Sequence, residues 1–88
     1  MKLILAIVSA DAADHVSNAL LERQYTVTHI SSVGGFLRRG NSTLVIGVDE
    51  SRAQDALAVI RNVCGPLSKS DGHAATIFVL DAAQFIQI

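Results

Sequence analysis

Residues 26–48 read TVTHISSV, then GGFLRRG, then NSTLVIGV, two β-branched runs on either side of a glycine-bounded segment. Val, Ile and Thr are stiff at χ1 and favour an extended, pleated chain. Gly supplies the backbone freedom that a reversal needs. The expected unit is a hairpin, with one strand over 26–33, a loop, and another strand over 42–48. The loop itself is unusual. A plain reversal needs only Gly, Asn or Asp, whereas here Phe36 and Leu37 sit at the tip beside Arg38 and Arg39. An apolar tip needs a pocket to enter or a partner to meet. Glycines let backbone N–H groups approach a ligand, an aromatic face stacks on a base, and Arg together with Asn41 matches phosphate and base edges. This combination predicts a nucleotide-sensing loop.

Outward from the hairpin, β-rich and helical patterns alternate. Residues 2–9 read as a strand, and Asp11 is placed to cap a helix running to about residue 24, with Ala13, Val16, Ala19 and Leu20 on one face. After the hairpin, Asp49 or Ser51 starts a second helix, and Ser51 with Gln54 has the spacing of a capping box. Ala53, Ala56, Leu57, Ile60, Val63 and Cys64 recur at helical intervals before Gly65-Pro66 stops the run. A polar connector over 67–74 leads to a last strand at 75–80, and the tail 81–88 suggests a turn and a short terminal strand.

The resulting order, βαββαβ, contains two similar halves, because Ala13, Val16, Ala19 and Leu20 correspond to Ala53, Ala56, Val59 and Ile60. That order predicts an α+β, ferredoxin-like sandwich formed by one domain over residues 1–88. The strands carry a second implication. In 3–8, 44–48 and 77–80 both alternating faces are apolar, yet two helices cover only one face of a sheet. An antiparallel sheet with one face in water alternates polar and apolar residues, so continuous apolarity implies that the second face is covered too. The simplest cover is another copy of the chain; the alternative is an internal cover by the tail. A ring-like homotrimer with ligand sites in clefts between subunits is expected.

Composition narrows the partners. Among 88 residues 17% are charged, the net charge is −1 and half are apolar, which is the balance of a globular chain and lacks the basic stripe that phosphate-backbone binding requires. No DNA or RNA partner is expected. The single cysteine, Cys64, forms no internal disulfide and reads as core filler, in keeping with a reducing compartment. The apolar run 3–8 is shorter than a secretory leader's core of about 7–15 residues and far below the roughly 18 needed to span a bilayer. The expected location is the cytoplasm, with no membrane insertion.

Other chemistries fit less well. Gly35 to Ser42 mimics a phosphate-binding P-loop, but Asn41 stands where the lysine belongs, and the segment joins strand to strand rather than opening a helix. RNA-recognition motifs share the element order but stack bases on aromatic residues of their central strands, and 43–48 has none. His15, His29 and His73 lack neighbours at metal-ligand spacing. No nucleophile and base form a recognisable motif, so neither a catalytic residue nor a metal ligand is expected, and the chain is not read as an enzyme.

The residues Thr28, Gly34-Gly35-Phe36-Leu37-Arg38, Gly40-Asn41, Thr43, Gly47-Val48, the run 75–80 and Gln84-Phe85 together resemble the PII-like cyclic di-AMP receptor family. The likeness runs in order through most of the chain. It implies a homotrimer of ferredoxin-like subunits that binds a cyclic dinucleotide between neighbours and signals by changing loop order, which suits a regulator of a protein partner. The resemblance assigns ligand binding to seven positions, and the chemistry of the loop adds Arg38. Thr28 and Asn41 hydrogen-bond an adenine, Phe36 and Leu37 wall the base pocket, Gly35 and Gly47 admit the ligand to the backbone, and Gln87 closes the pocket from a neighbouring strand. Arg38 is the phosphate candidate. Two departures stand out: Thr26 occupies a position where the family usually has Arg, and the loop after the second helix is short. The implied ligand is cyclic di-AMP or another adenine nucleotide such as ATP or ADP. The alternative is a ligand-independent interaction module that uses the 34–41 loop.

Overall fold

The computed structural model describes residues 1–31, 41–67, 75–84, 86 and 88. Its elements are β1 (Lys2–Ser9), α1 (Ala10–Glu22), β2 (Val27–Ser31), β3 (Asn41–Val48), α2 (Ala53–Cys64) and β4 (Ala75–Asp81), with single 3-10 turns at Glu50–Arg52 and Gly65–Leu67. The four strands form one antiparallel sheet in the order β2-β3-β1-β4. This is the ferredoxin-like α+β arrangement expected from the pattern, and β2 and β3 pair as the expected hairpin with Ser31 opposite Ser42. The loop residues 32–40 lie outside the described residues.

Side-chain alternation sorts the sheet into two faces. Ile4, Ala6 and Val8 of β1 and Leu44, Ile46 and Val48 of β3 are buried beneath the helices. The helices meet them with the repeated apolar stripes: Ala13, Val16 and Leu20 from α1, and Ala53, Ala56, Val59 and Ile60 from α2. Cys64 lies in the same core, and burial pushes its thiol pKa up. Removing one of the fully buried large side chains, such as Leu20, costs about 2–5 kcal/mol by cavity formation. That is a large share of the stability of a domain this small.

Element boundaries differ from expectation where local chemistry competes. Ser9, in extended conformation, precedes α1 and makes no side-chain cap bond; Asp11 falls in the first helical turn, where its charge complements the helix dipole. Pairing of Ser9 with Asn41 carries β1 straight into the helix and brings Asn41 into β3. Ser51 is taken into the 3-10 turn, so α2 starts at Ala53 and the Ser51–Gln54 capping box does not form. Gly65 follows α2 in right-handed conformation and the chain tightens into a 3-10 turn through Pro66. The last strand extends to Asp81, held by an ion pair to Lys2 across the β1–β4 register. The described tail residues, 82–84, 86 and 88, form no strand.

The end of α1 is built differently from a glycine stop. Tyr25 N–H reaches back to the Leu20 carbonyl at 3.1 Å and Gln24 N–H to that of Leu21 at 2.9 Å, the paired bonds of a Schellman motif. Its left-handed position is held by Gln24, at φ 67°. A side chain there is strained by about 1–2 kcal/mol, of which the greater chain entropy of Gly offsets roughly half. Gln24→Gly is therefore expected to stabilise the fold by about 0.5–1 kcal/mol, raising the thermal midpoint by about 2–8 °C in a calorimetric scan.

Candidate functional site

The sheet face turned away from the helices carries the polar residues singled out in the sequence. Cross-strand register orders it into rows: Leu80–Leu3–Gly47, then Phe78–Leu5–Val45–Thr28, then Thr76–Ile7–Thr43–Ile30, then Ser9–Asn41. Thr28, Asn41 and Gly47 thus share one face. They do not converge on a point, because Asn41 and Gly47 lie six residues apart on β3, about 20 Å at the rise of an extended strand. Thr28 stands between them, beside Val45. Gly35, Phe36, Leu37, Arg38 and Gln87 lie outside the described residues.

The same face is strongly apolar. Ile30, Phe78 and Leu80 are 48%, 52% and 46% exposed, and Leu3, Leu5 and Ile7 between them are half-buried. A sheet so apolar on its open side is unusual for a chain acting alone.

At the Gly47 end the structure adds a feature that the sequence did not reveal. A recess of about 170 Å³ is lined by Gln24, Tyr25, Thr26, Gly47, Asp49 and Arg52. Its wall is braced by contacts between the end of α1 and the start of α2. The Tyr25 hydroxyl donates to Asp55 Oδ2 at 2.5 Å, and Arg23 Nη1 donates to Asp55 Oδ1 at 3.0 Å. Arg52 lays its guanidinium over the Tyr25 ring, with Cζ 4.2 Å from the centroid, and Nη2 donates to the Arg23 carbonyl at 3.1 Å. Arg52 thereby helps to satisfy the carbonyls left open at the end of α1 while its remaining N–H groups stay available. The one visible signal was the Asp49-x-x-Arg52 spacing. Its partnership with Tyr25 depends on tertiary packing.

Among the described residues no group of His, Cys, Asp and Glu is arranged to hold a metal ion, and no helix is long and apolar enough to cross a membrane.

The βαββαβ order and the strand order of the sheet define a ferredoxin-like α+β domain, the arrangement of PII-like proteins. The family described as cyclic-di-AMP receptor matches residues 1–71, and the chain belongs to that family. It is also similar to a functionally unknown protein from Pediococcus pentosaceus ATCC 25745, whose crystal structure shares 32% identity at a TM-score of 0.81, covering 99% of this chain and 96% of that one. The family match ends before β4. The likeness to the Pediococcus protein takes in nearly the whole chain.

Tyr25 is the sole tyrosine of a chain without tryptophan, so its ionisation can be read directly. Burial, followed by the hydrogen bond to Asp55, raises its pKa above the ordinary 10.0. The folded protein keeps this proton at pH values where the unfolded chain releases it. Its contribution to stability is therefore complete below about pH 10 and lost as the pH climbs through the folded-state pKa. Absorbance titration near 295 nm is expected to show a midpoint above that of the denatured chain, and Tyr25→Phe is expected to cost about 1–2 kcal/mol in chemical denaturation.

Proposed function

We propose that the chain, acting as one domain, is a PII-like signalling protein. It binds cyclic di-AMP or another adenine nucleotide in clefts of a homotrimer and passes the ligand state to a protein partner. Membership of a cyclic-di-AMP receptor family carries the reading. The open sheet face supports it: Thr28, Asn41 and Gly47 are set among Leu3, Leu5, Ile30, Phe78 and Leu80, so copies that bury the apolar residues also enclose the polar ones. The separation of Asn41 from Gly47 fits clefts in which one end of a strand comes from each of two neighbours. An Asn amide presents the donor and acceptor pair that an adenine edge matches. Gly35, Phe36, Leu37, Arg38 and Gln87 complete the proposed site, and residues 36–39 are the element whose order reports the ligand.

Sedimentation velocity at micromolar concentration is expected to show a trimer, and Phe78→Asp to dissociate it by placing a charge in the apolar contact. Isothermal titration calorimetry with cyclic di-AMP, ATP and ADP identifies the ligand. Asn41→Ala is expected to weaken binding by about 10- to 100-fold or more, equivalent to about 1.5–3 kcal/mol, with the thermal midpoint of the ligand-free protein nearly unchanged. Single chains at micromolar concentration, together with no binding of any of the three nucleotides, would overturn the reading.

A further inference from the structure

The recess beside Gly47 is too small for a whole nucleotide, because drug-sized ligands occupy about 300–1,000 Å³. Its volume of about 170 Å³ suits a fragment. What lines it is chemically mixed. Arg52 is a guanidinium pre-positioned by its stack on Tyr25 and its bond to the Arg23 carbonyl. Asp49 is an exposed carboxylate that makes no side-chain cap bond and, among the described residues, no ion pair. The two are joined through one 3-10 turn, with Arg52 N–H donating to the Asp49 carbonyl at 2.9 Å. In such a turn residues three apart project on the same side. Gln24 and Thr26 add neutral donors and acceptors.

Met1 and Val48 complete the lining, and the Asp49 carboxylate weighs against a bare polyphosphate there. A fragment carrying one anionic group next to a hydroxyl donor fits well, because Arg52 receives the anion and Asp49 accepts from the hydroxyl. A ribose whose 3′-oxygen is phosphorylated and whose 2′-hydroxyl is unsubstituted has those two groups on adjacent carbons, as in a 3′,5′-linked cyclic dinucleotide. We propose that the recess is a ribose-phosphate subsite in which Arg52 takes the phosphodiester and Asp49 selects the 2′-hydroxyl, making the protein a reader of ribonucleotide over deoxyribonucleotide ligands. This rests on the nucleotide-binding reading above and adds to it a determinant on the α2 side of the sheet end.

Calorimetry of the full chain with cyclic di-AMP and with its bis-2′-deoxy analogue tests the assignment. The wild type is expected to favour the ribose form at least 10-fold, and Asp49→Ala to bring the two within about twofold. Arg52→Gln is expected to weaken both ligands at least 10-fold while keeping the preference. Arg52 also braces Tyr25, so a thermal scan accompanies that variant. The Asp49→Ala arm stands by itself, since its carboxylate holds nothing in the fold. If the wild type binds both ligands within twofold, or Asp49→Ala keeps the preference, the subsite assignment falls while the nucleotide reading survives. If neither ligand binds the wild type, the subsite assignment falls, and the nucleotide reading then stands or falls on ATP and ADP.

Discussion

A four-stranded sheet has two faces, and the described residues supply helices for one of them. The constraint shapes everything else in the molecule. The alanine-spaced stripes of α1 and α2 bury Ile4, Ala6, Val8, Leu44 and Ile46 completely, and the gain from that burial, roughly 25 cal/mol for each Å² of apolar surface, holds the two layers together. On the opposite face Leu3, Leu5, Ile7 and Val45 are just as apolar, and among the described residues no helix lies above them. Polar residues that punctuate such a face are therefore placed where association of copies would enclose them. Thr28, Asn41 and Gly47 hold those places.

The two ends of the sheet differ in character. At one, β1 hands the chain to α1 while Ser9 pairs with Asn41, next to the glycine-bounded loop. At the other, Tyr25 gathers Arg23, Arg52 and Asp55 into a cluster that locks the exit of α1 to the entry of α2. The lock turns two exposed arginines and a carboxylate into ordered groups around a recess. Surface ion pairs such as Arg23–Asp55 contribute little singly. Here the buried ring of Tyr25, 4% exposed, gives them a fixed platform.

Much of this was readable along the chain. The hairpin followed from the β-branched runs flanking the glycines, the helices from the recurrence of Ala53, Ala56 and Ile60, and the core role of Cys64 from its position on that stripe. The errors were local. Asp11 and Ser51 are good capping residues, but β1 leads directly into α1 at Ala10 and a 3-10 turn absorbs Ser51, so neither cap forms as the sequence suggested. Capping preferences amount to about 1 kcal/mol and yield readily to strand pairing and packing. Of the site, the choice of Thr28, Asn41 and Gly47 came from a family resemblance. Their common face was fixed by register, and the gathering of Gln24, Asp49 and Arg52 around one recess left almost no trace in the local pattern.

The amino-acid sequence by itself determined the kinds of element, their order and the double-sided apolarity of the strands. Those properties are written in periods of two and about 3.6 residues, which act over a few neighbouring positions. Tertiary structure alone decided which residues stand in the same row, how Gln24 came to occupy a left-handed position, and how Arg52 came to lie on Tyr25. These depend on strand register and on docking of α2 against the end of α1. Such contacts join residues far apart in sequence, so packing energy selects them, and no local preference encodes them.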